Sequence, residues 1–321
     1  MPIHPLARLG WRADLQSHLD ALGDPSLVPA RIVAADRGRA VVDDGSAAWS
    51  APLAGRLRRG RAAPATGDFA AVLPGGPVRA ILPRRGVVAR RGDGGRAEVL
   101  AANVDLALLA TSPNRDLNPR RLARFLAITA RGDVRAVVLL TKADLAPDPA
   151  AAAAALQDGL DGTPVVPVSA LLGTGVDAVR ALLAPGRTAV LLGSSGVGKS
   201  TMVNALVPGA GRATGGVNAV TGRGRHTSSS AIALELPAGG WVIDTPGVRS
   251  FGLAHIDLTR VIRSFPDLEP GTEDCPRSCS HDEPECALDD WVATGHSDPA
   301  RLASLRRLLR SRDQDEDGAS E

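Results

Sequence analysis

Val137–Leu145, VVLLTKADL, reads as a buried strand that runs into a Thr-Lys-Ala-Asp loop. A carboxylate at Asp144 can accept from both N1–H and the 2-amino group of guanine, a donor pair that adenine lacks. A buried polar mismatch of that kind can cost about ten-thousandfold in discrimination. The loop therefore reads as a base-selecting element, with Thr141 and Lys142 leading into Asp144. Ser169-Ala170, in VPVSALLGTG, follows the next strand and fits a small loop whose backbone N–H meets guanine O6.

About fifty residues further on comes LLGSSGVGKST, Leu191–Thr201. Its core, GSSGVGKS, matches the phosphate-loop pattern, and it stands between a strand (TAVLL) and a helix (STMVNAL), the context that pattern requires. Gly193, Ser194, Ser195, Gly196, Val197 and Gly198 supply a backbone nest for phosphate, and the helix opened by Lys199, Ser200 and Thr201 adds its positive end. Lys199 is placed to bridge the β- and γ-phosphates, with the Ser200 hydroxyl on Mg²⁺. DTPG, Asp244–Gly247, follows the strand WVI: Asp244 reaches Mg²⁺ through water and the Gly247 N–H senses the γ-phosphate. TKAD and DTPG together argue against a metabolic kinase.

The base-reading element thus precedes the phosphate loop. A parallel sheet tolerates this, because ligands bind at the carboxyl ends of its strands whatever the order in which the chain visits them. Apolar runs from Val104 onward alternate with helical patterns, which argues for a helix-covered, mostly parallel sheet. Ahead of it, from Ala30 to about Arg91, short apolar stretches (RIVAAD, RAVVDDG, WSAPLAG, GDFAAVLPGG, VRAILP) alternate with Gly, Pro and Asp clusters, as in a small barrel. A five-stranded OB-like barrel fits that length, and an SH3-like barrel fits nearly as well. The N-terminal DLQSHLDALG reads as a short helix.

Composition is that of an ordinary globular chain, 44 % hydrophobic and 22 % charged over 321 residues, long enough for two or three domains. Apolar runs are too short for a bilayer and no secretory signal stands at the start, so a cytoplasmic location is expected. Residues 1–98 hold 15 Arg and no Lys against 9 acidic residues, a basic bias that suits a polyanionic partner. The whole chain has two lysines, Lys142 and Lys199, against 35 arginines, and both lie in the nucleotide motifs. That fits sites that need a compact ammonium rather than a planar fork. No segment signals obligate oligomerisation, so a monomer is expected.

The three cysteines fall in DCPRSCSHDEPEC as Cys275, Cys279 and Cys286, with His281 between them. Three thiolates and one imidazole complete a tetrahedral structural zinc set with no position left for water. A segment this polar has little core of its own and would depend on the metal.

The motif order TKAD, SA, phosphate loop, switch loop, DTPG, with a barrel before it and a Cys/His cluster after it, resembles the RsgA family of circularly permuted, ribosome small-subunit-dependent GTPases. AANVD (Ala101–Asp105), TSPNRDLNPRRLARFL (Thr111–Leu126) and RGRHTSS also resemble that family. Its C-x3-C-x-H-x4-C spacing is one residue shorter than is usual there in each of the two wider gaps. The resemblance implies an OB-like, RNA-binding barrel over residues 1–95, a permuted GTPase over 96–254, a helical zinc-binding domain over 255–312 and an acidic tail over 313–321. The implied function is GTP hydrolysis during late maturation of the small ribosomal subunit, with GTP, Mg²⁺, one zinc ion and rRNA as ligands.

Where an ordinary small GTPase has a water-orienting Gln after DTPG, this chain has Val248. His226, in GRGRHTSSS, is the candidate to orient water, with Thr227 beside it on Mg²⁺; an exposed His touching RNA is the other reading. A GTP-gated RNA-binding scaffold with negligible catalysis is the alternative that Val248 favours. RLRRGR (Arg56–Arg61) and LPRRGVVARRG (Leu82–Gly92) suit phosphate contacts. Four Phe, four Trp and no Tyr leave few platforms for base stacking, so docking on folded RNA fits better than single-strand reading.

Overall fold

The computed structural model describes residues 6–7, 10–36, 38–55, 57, 63–91, 97–113, 117, 119–160, 162–183, 185–194, 196–210, 231–245, 261–276, 279–283 and 285–317. Its centre is a set of parallel strands: β8 (Leu106–Thr111), β9 (Arg135–Leu140), β10 (Val165–Pro167), β11 (Thr188–Gly193) and β13 (Trp241–Asp244), with β12 (Ile232–Glu235) antiparallel to β13. The spatial order is β10-β9-β8-β11-β13-β12. All six residues of β8 and of β11 are buried, as expected for central parallel strands covered on both faces. The chain enters at β8, steps outward to β9 and β10, returns to β11 beside β8, and only then builds the other half. All the parallel strands end on one edge, with a switch of direction between β8 and β11.

Alternate residues of these strands feed two helical layers. Leu106, Leu108 and Ala110 face α4 (Val176–Leu182) and α5 (Lys199–Leu206), whose Val179, Met202, Val203 and Leu206 close that core. Ala107 and Leu109 face α2 (Pro119–Arg131) through Leu122, Phe125 and Ile128, one apolar stripe of an amphipathic helix. On the edge at β10 lies α3 (Pro149–Asp158), which starts where Asp148 Oδ1 accepts from the N–H groups of Ala150 and Ala151, with Pro149 at its first position.

The barrel is built from β1 (Val28–Asp36), β2 (Arg39–Asp43), β3 (Ala48–Pro52), β4 (Phe69–Val72) and β5 (Val78–Ile81). β1 pairs with β2 on one side and β4 on the other, all antiparallel, and β3 reaches β5 through a parallel bridge, Leu53 to Val78. That closure, with β1 shared, is the OB-type Greek key, and it resolves the OB/SH3 ambiguity left by the local pattern. Ala30, Ile32, Val42, Ala51, Val72 and Val78 form the interior. Helix α1 (Ala13–Asp20) closes one end with Leu15 against Phe69 and Leu82.

Two connections were not foreseen. β1 also pairs with β12 (Ala34 with Ile232), so barrel and parallel strands share one sheet. A hairpin, β6 (Val87–Arg91) with β7 (Ala97–Ala102), joins the two regions, and its Val88 and Ala101 belong to the α2-side core.

The C-terminal segment differs from expectation in its packing. Val261, Phe265, Leu268 and residues of α6 (Ala287–Ala293) and α7 (Pro299–Asp317), including Leu288, Leu302 and Leu305, are buried in one cluster with Leu122 and Phe125 of α2. The polar Cys/His stretch is thus attached to a core shared with the central sheet rather than standing alone.

Candidate functional site

Four of the sequence motifs meet on the carboxyl edge of the parallel strands, fastened side by side through backbone carbonyls. At the outer end, Ala143 N–H donates to Val168 O (3.2 Å), joining the TKAD loop to the strand end that leads into Ser169-Ala170. Next, Thr141 N–H donates to Thr111 O (2.7 Å), and its hydroxyl lies 2.6 Å from Val197 O. Lys142 Nζ donates to Gly196 O at 2.7 Å, across 54 residues of sequence. Beyond the phosphate loop, the Thr245 hydroxyl donates to Leu191 O (2.8 Å), while Asp244 stands in register with Leu191. The row runs SA, TKAD, phosphate loop, DTPG, whatever the chain order.

The local backbone explains the residue types. Gly196 and Gly198 have φ of +79° and +103°, conformations that let successive N–H groups turn inward and that side chains with a Cβ resist. A Cβ at Gly193 would lie 2.8 Å from Ala110 O. Lys199, which begins α5, is buried, and its ammonium donates to Gly193 O (2.8 Å) and Ser194 O (2.6 Å). Ser194 Oγ is buried without a hydrogen-bond partner among the described residues, a polar atom suited to a phosphate oxygen. Ser200 and Thr201 continue the first turn of α5. Lys142 takes φ +51°, a left-handed residue held by the Gly196 carbonyl. Asp144, in the short 3₁₀ turn Ala143–Leu145, is exposed and open to a base, whereas Ser169 is buried and its loop is closed by its N–H on Thr174 O (2.9 Å). Asp244 is buried at the end of β13. Ser195, His226, Thr227, Val248 and Gly247 lie outside the described residues.

The Cys/His group forms a second site. Cys275 Sγ lies 3.5 Å from His281 Nδ1 and 3.9 Å from Cys286 Sγ, and Cys286 Sγ lies 3.8 Å from His281 Nδ1. With Cys279, all four ligand atoms fall within 4.8 Å of one another. A zinc tetrahedron with Zn–S about 2.3 Å and Zn–N about 2.05 Å has edges of about 3.5–3.8 Å. The donor set and its spacing fit that ion, the shortened intervals notwithstanding. Burial pushes all three thiols above their ordinary range, and a bound cation would reverse that by taking them as thiolates. Arg306 of α7 braces the loop, donating to His281 O (2.9 Å) and clamping Asp289 at 2.7 and 2.6 Å.

Sequence reading missed the groups that join barrel and sheet on the opposite edge. Arg31, on β1, is fully buried; its guanidinium donates to the Thr188 hydroxyl (2.6 Å) and lies over Phe69 (4.9 Å) and Trp241 (5.3 Å). Burial lowers its pKa to about 9, with Asp105 and Asp68 opposing that fall, so it remains a cation at neutral pH. Thr66 donates to Ala231 O at 2.9 Å. The available signal was Arg31 at the head of the apolar run in RIVAAD, which by itself reads as a surface position.

Known proteins agree with this layout. The pattern of the RsgA GTPase family matches residues 81–254, more than half of the chain. The Small ribosomal subunit biogenesis GTPase RsgA of Syntrophotalea carbinolica is 36% identical over 317 residues, covering 93% of this chain and 87% of its own. The chain belongs to the RsgA GTPase family. It is accordingly a GTPase. The crystal structure of YjeQ from Thermotoga maritima superposes with a TM-score of 0.68 at 23% identity, covering 89% of this chain and 98% of that one. That of YloQ, a circularly permuted GTPase, gives 0.64 at 21%, covering 90% and 96%. At those identities the two solved structures bear on the fold, which is the permuted one. Among the described residues, no helix is long and apolar enough to cross a membrane.

Proposed function

We propose that this GTPase works in the cytoplasm, as a monomer, on the small ribosomal subunit during late maturation, binding its rRNA and hydrolysing GTP faster when docked. The observation that carries the reading is the fastening of the TKAD loop to the phosphate loop by Thr141 and Lys142, across 56 and 54 residues. In this reading Asp144 and the Ser169-Ala170 loop select guanine. The Gly193–Gly198 nest with Ser194 and Ser195, together with Lys199, Ser200 and Thr201, holds the phosphates, and Asp244 and Gly247 report the γ-phosphate. Mg²⁺, held through Ser200 and Thr227, would neutralise charge on the β- and γ-oxygens. His226 orients a water whose oxygen attacks the γ-phosphorus as the bond to the β-phosphate oxygen breaks, giving GDP and phosphate. Cys275, Cys279, His281 and Cys286 would hold one structural zinc, which would steady the segment after the switch region.

GTP turnover measured alone, with purified small subunits and with large subunits tests this. Strong stimulation by small subunits only is expected, lost in His226→Ala. No stimulation, with GTP-dependent docking retained, would favour the scaffold reading that Val248 supports.

A further inference from the structure

At the amino edge of the parallel strands, opposite the nucleotide motifs, lies an open cleft of about 900 Å³ where three segments meet: the barrel exit at 84–87, the approach to β8 at 104–105 and the α2–β9 turn at 130–135. Its floor is rigid. Val87 N–H donates to Gly132 O (2.9 Å) and Val104 N–H to Gly86 O (3.0 Å), and a Cβ at Gly132 or Gly86 would overlap the carbonyl of Val87 or Val104. Both glycines are therefore required by backbone contact.

The rim is charged. Arg84, Arg85, Arg131 and Arg135 line it with Asp105 and Asp133, and Arg85, Arg131 and Arg135 are exposed. The two carboxylates, Asp105 and Asp133, are exposed as well, which leaves the lining with four guanidinium groups against two carboxylates; Asp105 also accepts from Thr188 N–H (2.7 Å), close to the buried Arg31. Arg84 is fixed by a two-pronged pair with buried Asp68 (2.7 and 2.7 Å). Arg85 meets Asp14 at 3.3 Å with 66% and 37% of the two side chains exposed, a pair weak enough to exchange for another anion. A polar cleft of this kind lacks the apolar lining of a small-molecule site. Planar guanidinium forks around a fixed floor match phosphodiester oxygens.

We infer that this cleft docks the phosphate backbone of folded RNA, about 17 Å from the nucleotide edge across six-residue strands, so that RNA and GTP are held together on opposite edges of one sheet. The inference rests on the reading of the partner given above. With rRNA gripped at 84–85 and 131–135, both the barrel exit and the start of β9, whose far end carries TKAD, are tied to the RNA.

The test is a double variant, Arg131→Gln with Arg135→Gln, on the full chain. Binding to purified small subunits and to protein-free small-subunit rRNA is titrated from 50 to 200 mM salt. Basal GTP turnover and the thermal midpoint, both unchanged, establish that the fold is intact. The expected result is a log–log salt slope shallower by about 2 on both probes, so that the variant loses about tenfold less affinity across that range than the wild type. Arg180→Gln, on α4, should leave the slope alone. Unchanged slopes on both probes would overturn the inference. Loss on subunits with rRNA binding intact would also overturn it, assigning the cleft to an acidic protein. A wild type that ignores small subunits, with the slope change still present on rRNA, would refute the functional reading and keep the cleft.

Discussion

The two edges of the parallel sheet are built by different physics. The carboxyl edge is made of tight turns fastened by hydrogen bonds to backbone carbonyls: Thr141 to Val197, Lys142 to Gly196, Thr245 to Leu191. The amino edge is held by a buried cation between aromatic faces, Arg31 against Phe69 and Trp241, with Thr188 and Asp105 beneath. The first arrangement leaves Ser194 Oγ without a hydrogen-bond partner among the described residues and Asp144 exposed. The second closes a junction between barrel and sheet. The motifs of the carboxyl edge are fastened to one another through the backbone, whereas at the amino edge a buried side chain fastens barrel to sheet beneath an exposed rim.

That contrast can be broken by substitution, and the largest effect should come at the amino edge. Arg31→Ala removes the cation and opens a cavity; it is expected to cost about 3–5 kcal/mol in stability, read as a lower urea midpoint. GDP affinity of the folded fraction should stay as it was. Lys199→Ala should do the reverse, lowering turnover by about 10²–10³ with the urea midpoint nearly unchanged, as for loss of a charge aimed at the transition state. If both variants moved both readouts together, the edges would not be separable.

Thr141→Ala sharpens the comparison within the carboxyl edge. It removes one hydrogen bond between base-reading and phosphate-binding loops, worth about 1 kcal/mol, so GDP affinity should weaken about fivefold in equilibrium titration. The smallest effect concerns the C-terminal layer. Asp267 is largely buried; burial would raise its pKa, but hydrogen bonds from Arg301 and Ser297 outweigh it and hold the carboxyl below the ordinary value of 3.8. A depressed carboxyl stabilises the fold above that value and loses its contribution as pH falls through its folded pKa. Asp267→Asn should therefore lower the thermal midpoint slightly at pH 7 and cease to do so once the pH has fallen below the depressed pKa of the folded state.

The motifs of the carboxyl edge were legible in the sequence because each is one contiguous stretch whose expected chemistry demands particular residues. GSSGVGKS needs its glycines for backbone angles, and TKAD needs a carboxylate at its end. The central strands were legible for a similar reason, as unbroken apolar runs such as LALLA. Arg31 was hidden because its burial depends on Thr188 and Trp241, more than 150 residues away. OB closure depends on the bridge between Leu53 and Val78, and the shared C-terminal core on Leu305 meeting α2; neither long-range contact leaves a local pattern.

The central claim is that TKAD, SA and the phosphate loop, out of order in the chain, form one guanine site. The direct measurement is the affinity for GDP and for ADP of the wild type and of Asp144→Ala, by fluorescence titration. The account predicts that the wild type prefers GDP by about 10³–10⁴ and that Asp144→Ala loses most of that preference while keeping its hold on the phosphates. Equal binding of the two nucleotides by the wild type, or a preference untouched in Asp144→Ala, would contradict it.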